Sequence, residues 1–102
     1  MELENSFDIE FEGVVFEWRG PAPYYFVSIQ GSNAVAIKEH AATVSYGWGM
    51  IPVTCKIGNT LFKTSLWPKG DEYYLPLKAA VRRAESLSLD ESVAVKLSLN
   101  FN

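Results

Sequence analysis

Few side chains in this sequence could carry out covalent or acid–base chemistry, and each lacks the neighbours such chemistry needs. His40 is the sole histidine. A metal or proton-transfer pair would need a second group on the same face, and Glu39, the next residue, points elsewhere on a helix, so His40 reads as a surface residue. Cys55, flanked by Thr54 and Lys56, would be a nucleophile only as an exposed thiolate. Its place on the apolar face of a strand pattern reads instead as a buried, inert thiol. Because it is the only cysteine, no intrachain disulfide and no cysteine-based metal cluster can form, which suits a reducing cytoplasm. Thr64-Ser65 offers hydroxyls with no histidine close in sequence, and there is neither a Gly-x-Ser-x-Gly elbow nor a phosphate-binding glycine loop. Asp71-Glu72 and Asp90-Glu91 fall in turns, where neighbouring carboxylates solvate the chain. The residue types point away from catalysis and call for no metal and no cofactor.

What stands out is aromatic and basic. Trp18, Tyr24, Trp48, Trp67 and Tyr73 fall at strand ends and turns, where a side chain can be both apolar and hydrogen-bonded. Such residues either build a recognition surface or seal the ends of a small barrel, and sealing is the first expectation for a core of this size. The net charge is −3, yet Glu2, Glu4, Asp8, Glu10, Glu12 and Glu17 all precede the first base, Arg19. Between Lys56 and Arg83 lie Lys56, Lys63, Lys69, Lys78, Arg82 and Arg83 against only Asp71 and Glu72. Ordinary solvated charges would look the same, but a locally positive region is also what grips an anion. The candidate binding residues are therefore Lys63, Trp67, Arg82, Arg83, Trp48 and Tyr73.

The elements that must position them are mostly strands. Phe7, Ile9 and Phe11 alternate with Asp8, Glu10 and Glu12, and after Gly13 the apolar positions become Val14, Phe16 and Trp18. A one-residue change of phase at a glycine predicts a β-bulge and a bending strand. Gly20, Pro21 and Pro23 mark a loop, and Tyr24 to Gln30 resumes as a strand that forms a hairpin with the first. Ser32 or Asn33 is placed to cap a helix whose stripe is Ala34, Ile37, Ala41 and Val44. Met50 to Ile57 and Thr60 to Trp67 form a second hairpin about Gly58-Asn59. That turn sets Ile57 against Thr60, Cys55 against Phe62, Val53 against Thr64 and Ile51 against Leu66. After a turn at Gly70-Asp71, Tyr73, Leu75 and Leu77 alternate, and a helix follows with Leu77, Ala80, Val81, Ala84 and Leu87 inward and Lys78, Arg82, Arg83 and Glu85 outward. Val93, Val95, Leu97, Leu99 and Phe101 complete a half-buried strand. Trp18 and Tyr24-Tyr25 are echoed by Trp67 and Tyr73-Tyr74, as a duplication giving a pseudo-two-fold barrel would produce.

A chain of 102 residues that is 48% hydrophobic and 14% aromatic is expected to form one globular domain over residues 1–102, hiding roughly 65% of the surface its unfolded form exposes. Nowhere are there the roughly 18 consecutive apolar residues of a membrane helix, and the acidic opening is unlike an export signal.

Trp48-Gly49-Met50-Ile51-Pro52-Val53, Ile57-Gly58-Asn59, Thr64-Ser65-Leu66, Tyr74-Leu75-Pro76-Leu77-Lys78-Ala79-Ala80-Val81-Arg82 and Leu89-Asp90-Glu91-Ser92-Val93-Ala94-Val95 occur in that order. Together they resemble a bacterial domain-of-unknown-function family found alone or beside YdeI/OmpD-associated (bacteriocin-protection) segments. The resemblance runs from about Phe7 to Phe101 and implies a double-split β-barrel, similar to the AbrB and MazE transcription factors, with strands forming a pseudobarrel capped by two short helices. Where the family usually has Gly-Asp, this chain has Leu89-Asp90, which implies an altered turn.

Three functions follow in order. The first is a non-catalytic module that binds a small ligand or a protein partner through the aromatic and basic region. The second is a nucleic-acid-binding regulator, by analogy with AbrB-like barrels, against which stand the acidic balance and the lack of a basic arm. An enzyme of unknown class is third. A monomer is expected, with a homodimer as the alternative.

Overall fold

The computed structural model describes residues 6–19, 24–41 and 49–100. In chain order the elements are β1 (Ser6–Trp18), β2 (Tyr24–Ile29), α1 (Gly31–Ala41), β3 (Ile51–Ile57), β4 (Thr60–Lys69), β5 (Glu72–Pro76), α2 (Ala79–Ala84) and β6 (Ser92–Asn100). The strands pair antiparallel throughout and close a barrel in the order β1-β2-β5-β4-β3-β6. The mainly β fold with two short helices is as expected.

Closure depends on two strands long enough to serve two partners each. β1 pairs with β6 as far as Val14↔Ser92 and with β2 from Val15↔Val27 onward. β4 likewise pairs with β3 as far as Leu66↔Ile51 and with β5 from Trp67↔Tyr74. These two changes of partner are the double split. Exchanging β1 with β4, β2 with β5 and β3 with β6 returns the same cyclic order, so the topology has the two-fold character that the sequence echo suggests. The echo itself slips by one residue. Superposing Trp18 on Trp67 shifts β1 onto β4 by 49, but the registers Trp18↔Tyr24 and Trp67↔Tyr74 then shift β2 onto β5 by 50. Tyr24 therefore matches Tyr74, and Tyr73, the residue before it, faces the opposite way into the core at 8% exposure.

No bulge occurs at Gly13. The ladder with β6 runs unbroken from Ser6↔Asn100 through Gly13↔Val93 to Val14↔Ser92, and the inward phase continues from Ile9 and Phe11 to Val15, which is fully buried while Val14 is exposed. The glycine serves a close approach instead. A Cβ there would lie 2.3 Å from Val27 Cγ1 and 3.2 Å from the Ser28 carbonyl oxygen, so the position must stay bare for β2 to fold against β1. Phe16 misleads the pattern because it packs on the outside, against Phe26 and Tyr74.

The interior is filled from every strand: Val15, Val27, Ile29, Ile51, Val53, Cys55, Ile57, Leu66, Tyr73, Leu75, Val93, Val95, Leu97 and Leu99 are buried together. The second hairpin has the expected register, Ile57↔Thr60 through Ile51↔Leu66. Gly58 takes φ +58° and Asn59 does not turn positive, which is the glycine-first type II′ pattern. α1 buries Ala34, Ile37 and Ala41 as its spacing predicts, and Val44 lies outside the described residues, as does Phe101. The helix begins at Gly31, however, so Ser32 and Asn33 stand in its first turn rather than at its cap. α2 is shorter than its periodicity implies. It spans six residues, buries only Val81, and leaves Ala80 and Ala84 exposed. Glu85 is half-buried, and it accepts hydrogen bonds from the Asn59 amide at 3.2 Å and the Thr60 hydroxyl at 2.6 Å and so ties α2 to the β3–β4 turn. Before β6, the left-handed position is Asp90 at φ +69°. That turn is held by the Asp90 amide donating to the Val15 carbonyl at 2.8 Å and by the Ser88 amide donating to the Glu91 carboxylate at 2.8 Å.

Candidate functional site

Where β4 leaves β3 for β5, the split opens a groove of about 690 Å³ against the start of β2 and the segment leading into α2. Its chemistry comes from Tyr24, Tyr25, Lys63, Trp67, Lys78 and Arg82, with Leu77 and Ala79 among its apolar lining and, among the described residues, no carboxylate. Register explains the assembly. Lys63 and Trp67 have the same outward parity on β4, and Trp67 opposes Tyr74 of β5. Tyr24 precedes the β2 residues that pair with β5, so it reaches the Trp67 ring at 5.8 Å, edge to face. Glu17 is cross-strand from Tyr25 and stays outside the lining.

Trp67 belongs to an aromatic sheet surface that spans four adjacent strands. Its ring lies 5.2 Å from Phe26, which in turn contacts Tyr74 at 5.4 Å and Phe16 at 5.9 Å. Phe26 is 1% exposed although it faces away from the barrel interior, so this surface is a second small core that fixes the Trp67 ring in place.

Arg82 is held from two sides. Its guanidinium carbon sits 3.8 Å from the centre of the Tyr25 ring, and its Nε donates to the Leu77 carbonyl at 3.2 Å. Stacking and one hydrogen bond orient the planar fork, while its two terminal nitrogens find no acceptor among the described residues.

Of the residues proposed from sequence, Lys63, Trp67 and Arg82 are brought together. Arg83 is exposed on α2 outside the groove, Tyr73 lies in the core, and Trp48 lies outside the described residues. Tyr24, Tyr25 and Lys78 were missed as site residues, although Tyr24 stood among the aromatics at strand ends. Tyr25 looks like a core position in the alternation of its strand, and only the topology carries it to Arg82, 57 positions along the chain. Among the described residues no group of three or more His, Cys, Asp or Glu side chains could hold a metal, and no helix is long and apolar enough to cross a membrane. Burial pushes the Cys55 thiol up to about 12, so that sulfur is a protonated core atom.

The model of a domain of unknown function, DUF1905, matches residues 11–97. The chain belongs to the DUF1905 family. No curated protein matches it. The match takes in the described parts of β1 beyond Glu10, the whole groove and both helices, so every residue of the site lies inside the DUF1905 region.

The two-fold character of this DUF1905 barrel provides an internal comparison. Under the shifts of 49 and 50, Lys63, Ser65, Lys78 and Tyr24 fall on Val14, Phe16, Ser28 and Tyr74, and these four line a second groove at the other split. Among the described residues the charged groups of that second groove are Glu12 and Glu72, with no base, and Glu72 already accepts the Ser28 hydroxyl at 2.8 Å. One backbone frame thus carries bases at one split and carboxylates at the other, so the positive groove is not imposed by the fold.

Proposed function

We propose that this DUF1905 domain is a non-catalytic binding module whose ligand seats in the groove between β4, the start of β2 and the approach to α2. The observation that carries the reading is the convergence of Lys63, Lys78 and Arg82 on one open groove to which no described carboxylate contributes, beside an aromatic ring packed against Phe26. Concave sites of this kind, mostly apolar with a few convergent polar groups, are where small molecules bind. The test is an amide-resolved NMR screen of the whole chain against a chemically diverse fragment set. Binders are expected to shift Tyr24, Tyr25, Lys63 and Trp67. Binders that instead perturb the Glu12 and Glu72 groove or the β3–β6 face sink the placement, as does a protein partner whose footprint lies there.

A second reading, DNA binding in the manner of AbrB-like barrels, draws on the neighbouring outward lysines Lys56, Lys96 and Lys63 on β3, β6 and β4. Against it, Glu10 stands directly across from Lys96 and would meet the phosphates. Duplex titration at low and high salt separates the two readings, since phosphate-driven binding falls steeply with salt. The buried single thiol also fits a reducing cytoplasm.

A further inference from the structure

Resting on the groove as the binding site, we infer that its ligand is a small planar organic anion: a carboxylate or phosphate held by the terminal nitrogens of Arg82 with Lys63 and Lys78, and a flat ring laid against Trp67 and Tyr24.

The charge of the ligand follows from the lining. Three cations and, among the described residues, no carboxylate line the groove, so an anion is the ligand whose charge they complement. The fork of Arg82 makes the choice more specific. A guanidinium whose Nε and ring face are already engaged has lost its freedom before the ligand arrives, and its remaining donors match the two oxygens of a carboxylate or phosphate. Lys63 and Lys78 are exposed on flexible stems and act as point charges around that anchor.

The ring follows from Trp67 and Tyr24. Both rings line the groove, Tyr24 is 46% exposed, and Trp67 packs in T-shaped contact with Tyr24 at 5.8 Å and with the buried Phe26 at 5.2 Å. A rigid, partly open aromatic surface beside an anion anchor favours a ligand that is flat at one end and charged at the other. Within this class the anionic head comes from either of two sources, and the arms of the experiment tell them apart.

The experiment titrates the full chain with phenyl phosphate, benzoate, inorganic phosphate and benzyl alcohol, following the Arg82 side-chain and Trp67 indole resonances. Ring-bearing anions are expected to move both signals and to bind about ten-fold or more tighter than either inorganic phosphate or benzyl alcohol; whichever of phenyl phosphate and benzoate binds tighter names the head group. Arg82→Lys is expected to weaken that binding by about ten-fold while its spectrum stays folded, because a point charge does not replace the fork. Lys63→Gln gives a smaller loss, and Glu72→Gln, in the second groove, gives none. If benzyl alcohol binds as tightly as the anions, or Arg82→Lys leaves affinity unchanged, the anion assignment is wrong while the groove remains the site. If inorganic phosphate matches phenyl phosphate, the ring assignment is wrong. If none of the four moves a groove resonance although screened fragments do, the ligand class is wrong and the binding-module reading stands; if fragments also leave the groove unmoved, both fall.

Discussion

Cys55 is 1% exposed in the barrel interior, and loss of solvation alone lifts its thiol from an ordinary 9.0 to about 12. This has a direct consequence for stability. Below pH 9 the thiol is protonated in both the folded and the unfolded chain and contributes no difference. Between about 9 and about 12 the unfolded chain releases the proton and the folded chain retains it, so stability falls as pH rises, by about 1.4 kcal/mol per pH unit at most. Tyr73 has the same sign, because burial raises its hydroxyl above 10.0, but its share begins at higher pH. Urea midpoints measured from neutral pH to pH 10 are expected to drop for the natural chain and to stay nearly level for Cys55→Ala, which removes the first titration and leaves the second. Parallel losses in the two chains would show that the thiol is not the source.

At the scale of elements, α2 is the weak member. Six residues are too few to hold a helix alone, since nucleation costs more than so short a run of hydrogen bonds returns, and α2 has only Val81 fully inside. What holds it is tertiary: Val81 in the core, Arg82 on Tyr25, and Glu85 on the β3–β4 turn. Val81→Ala is therefore expected to cost about 1–3 kcal/mol and, more tellingly, to speed hydrogen exchange at the Arg82 and Glu85 amides, which donate to Lys78 and Val81, well before the amides of β3 and β6 respond. Uniform acceleration across the barrel would mean that α2 opens only with global unfolding. The same dependence on distant contacts explains what could be read in advance. The β3–β4 register was legible because a two-residue turn and strict alternation act on neighbours in sequence, and the buried face of β6 for the same reason. The inward face of β1 beyond Gly13 was not, because Val14, Val15 and Phe16 are all apolar and one side of that sheet carries an outer aromatic layer. The groove was half legible: Lys63, Trp67 and Arg82 lie in a visibly basic and aromatic stretch, whereas Tyr25 joins them only through the strand order.

At the scale of the whole molecule, the strand order interleaves the two halves of the chain. Take β1, β2, α1 and β3 as one half and β4, β5, α2 and β6 as the other. Among the described strands only β1·β2 and β4·β5 pair within a half; β1·β6, β2·β5, β3·β4 and β3·β6 all pair between halves. β3 and β6 find no partner at all in their own half, and β1 and β6 join the two ends of the chain, at Ser6↔Asn100. Neither half can bury its apolar strand faces alone, because an isolated hairpin is at best marginal in water. Cleaving the backbone within the exposed Gly58-Asn59 turn removes one connection and leaves every strand pairing possible. Fragments 1–58 and 59–102 are thus expected to be unfolded separately, with little strand signal in circular dichroism, and to recover the dispersed amide spectrum of the intact chain on mixing, saturating at equal amounts. A fragment that folds by itself would show that the halves are separable units and that closure of the barrel is an addition to them rather than their cause.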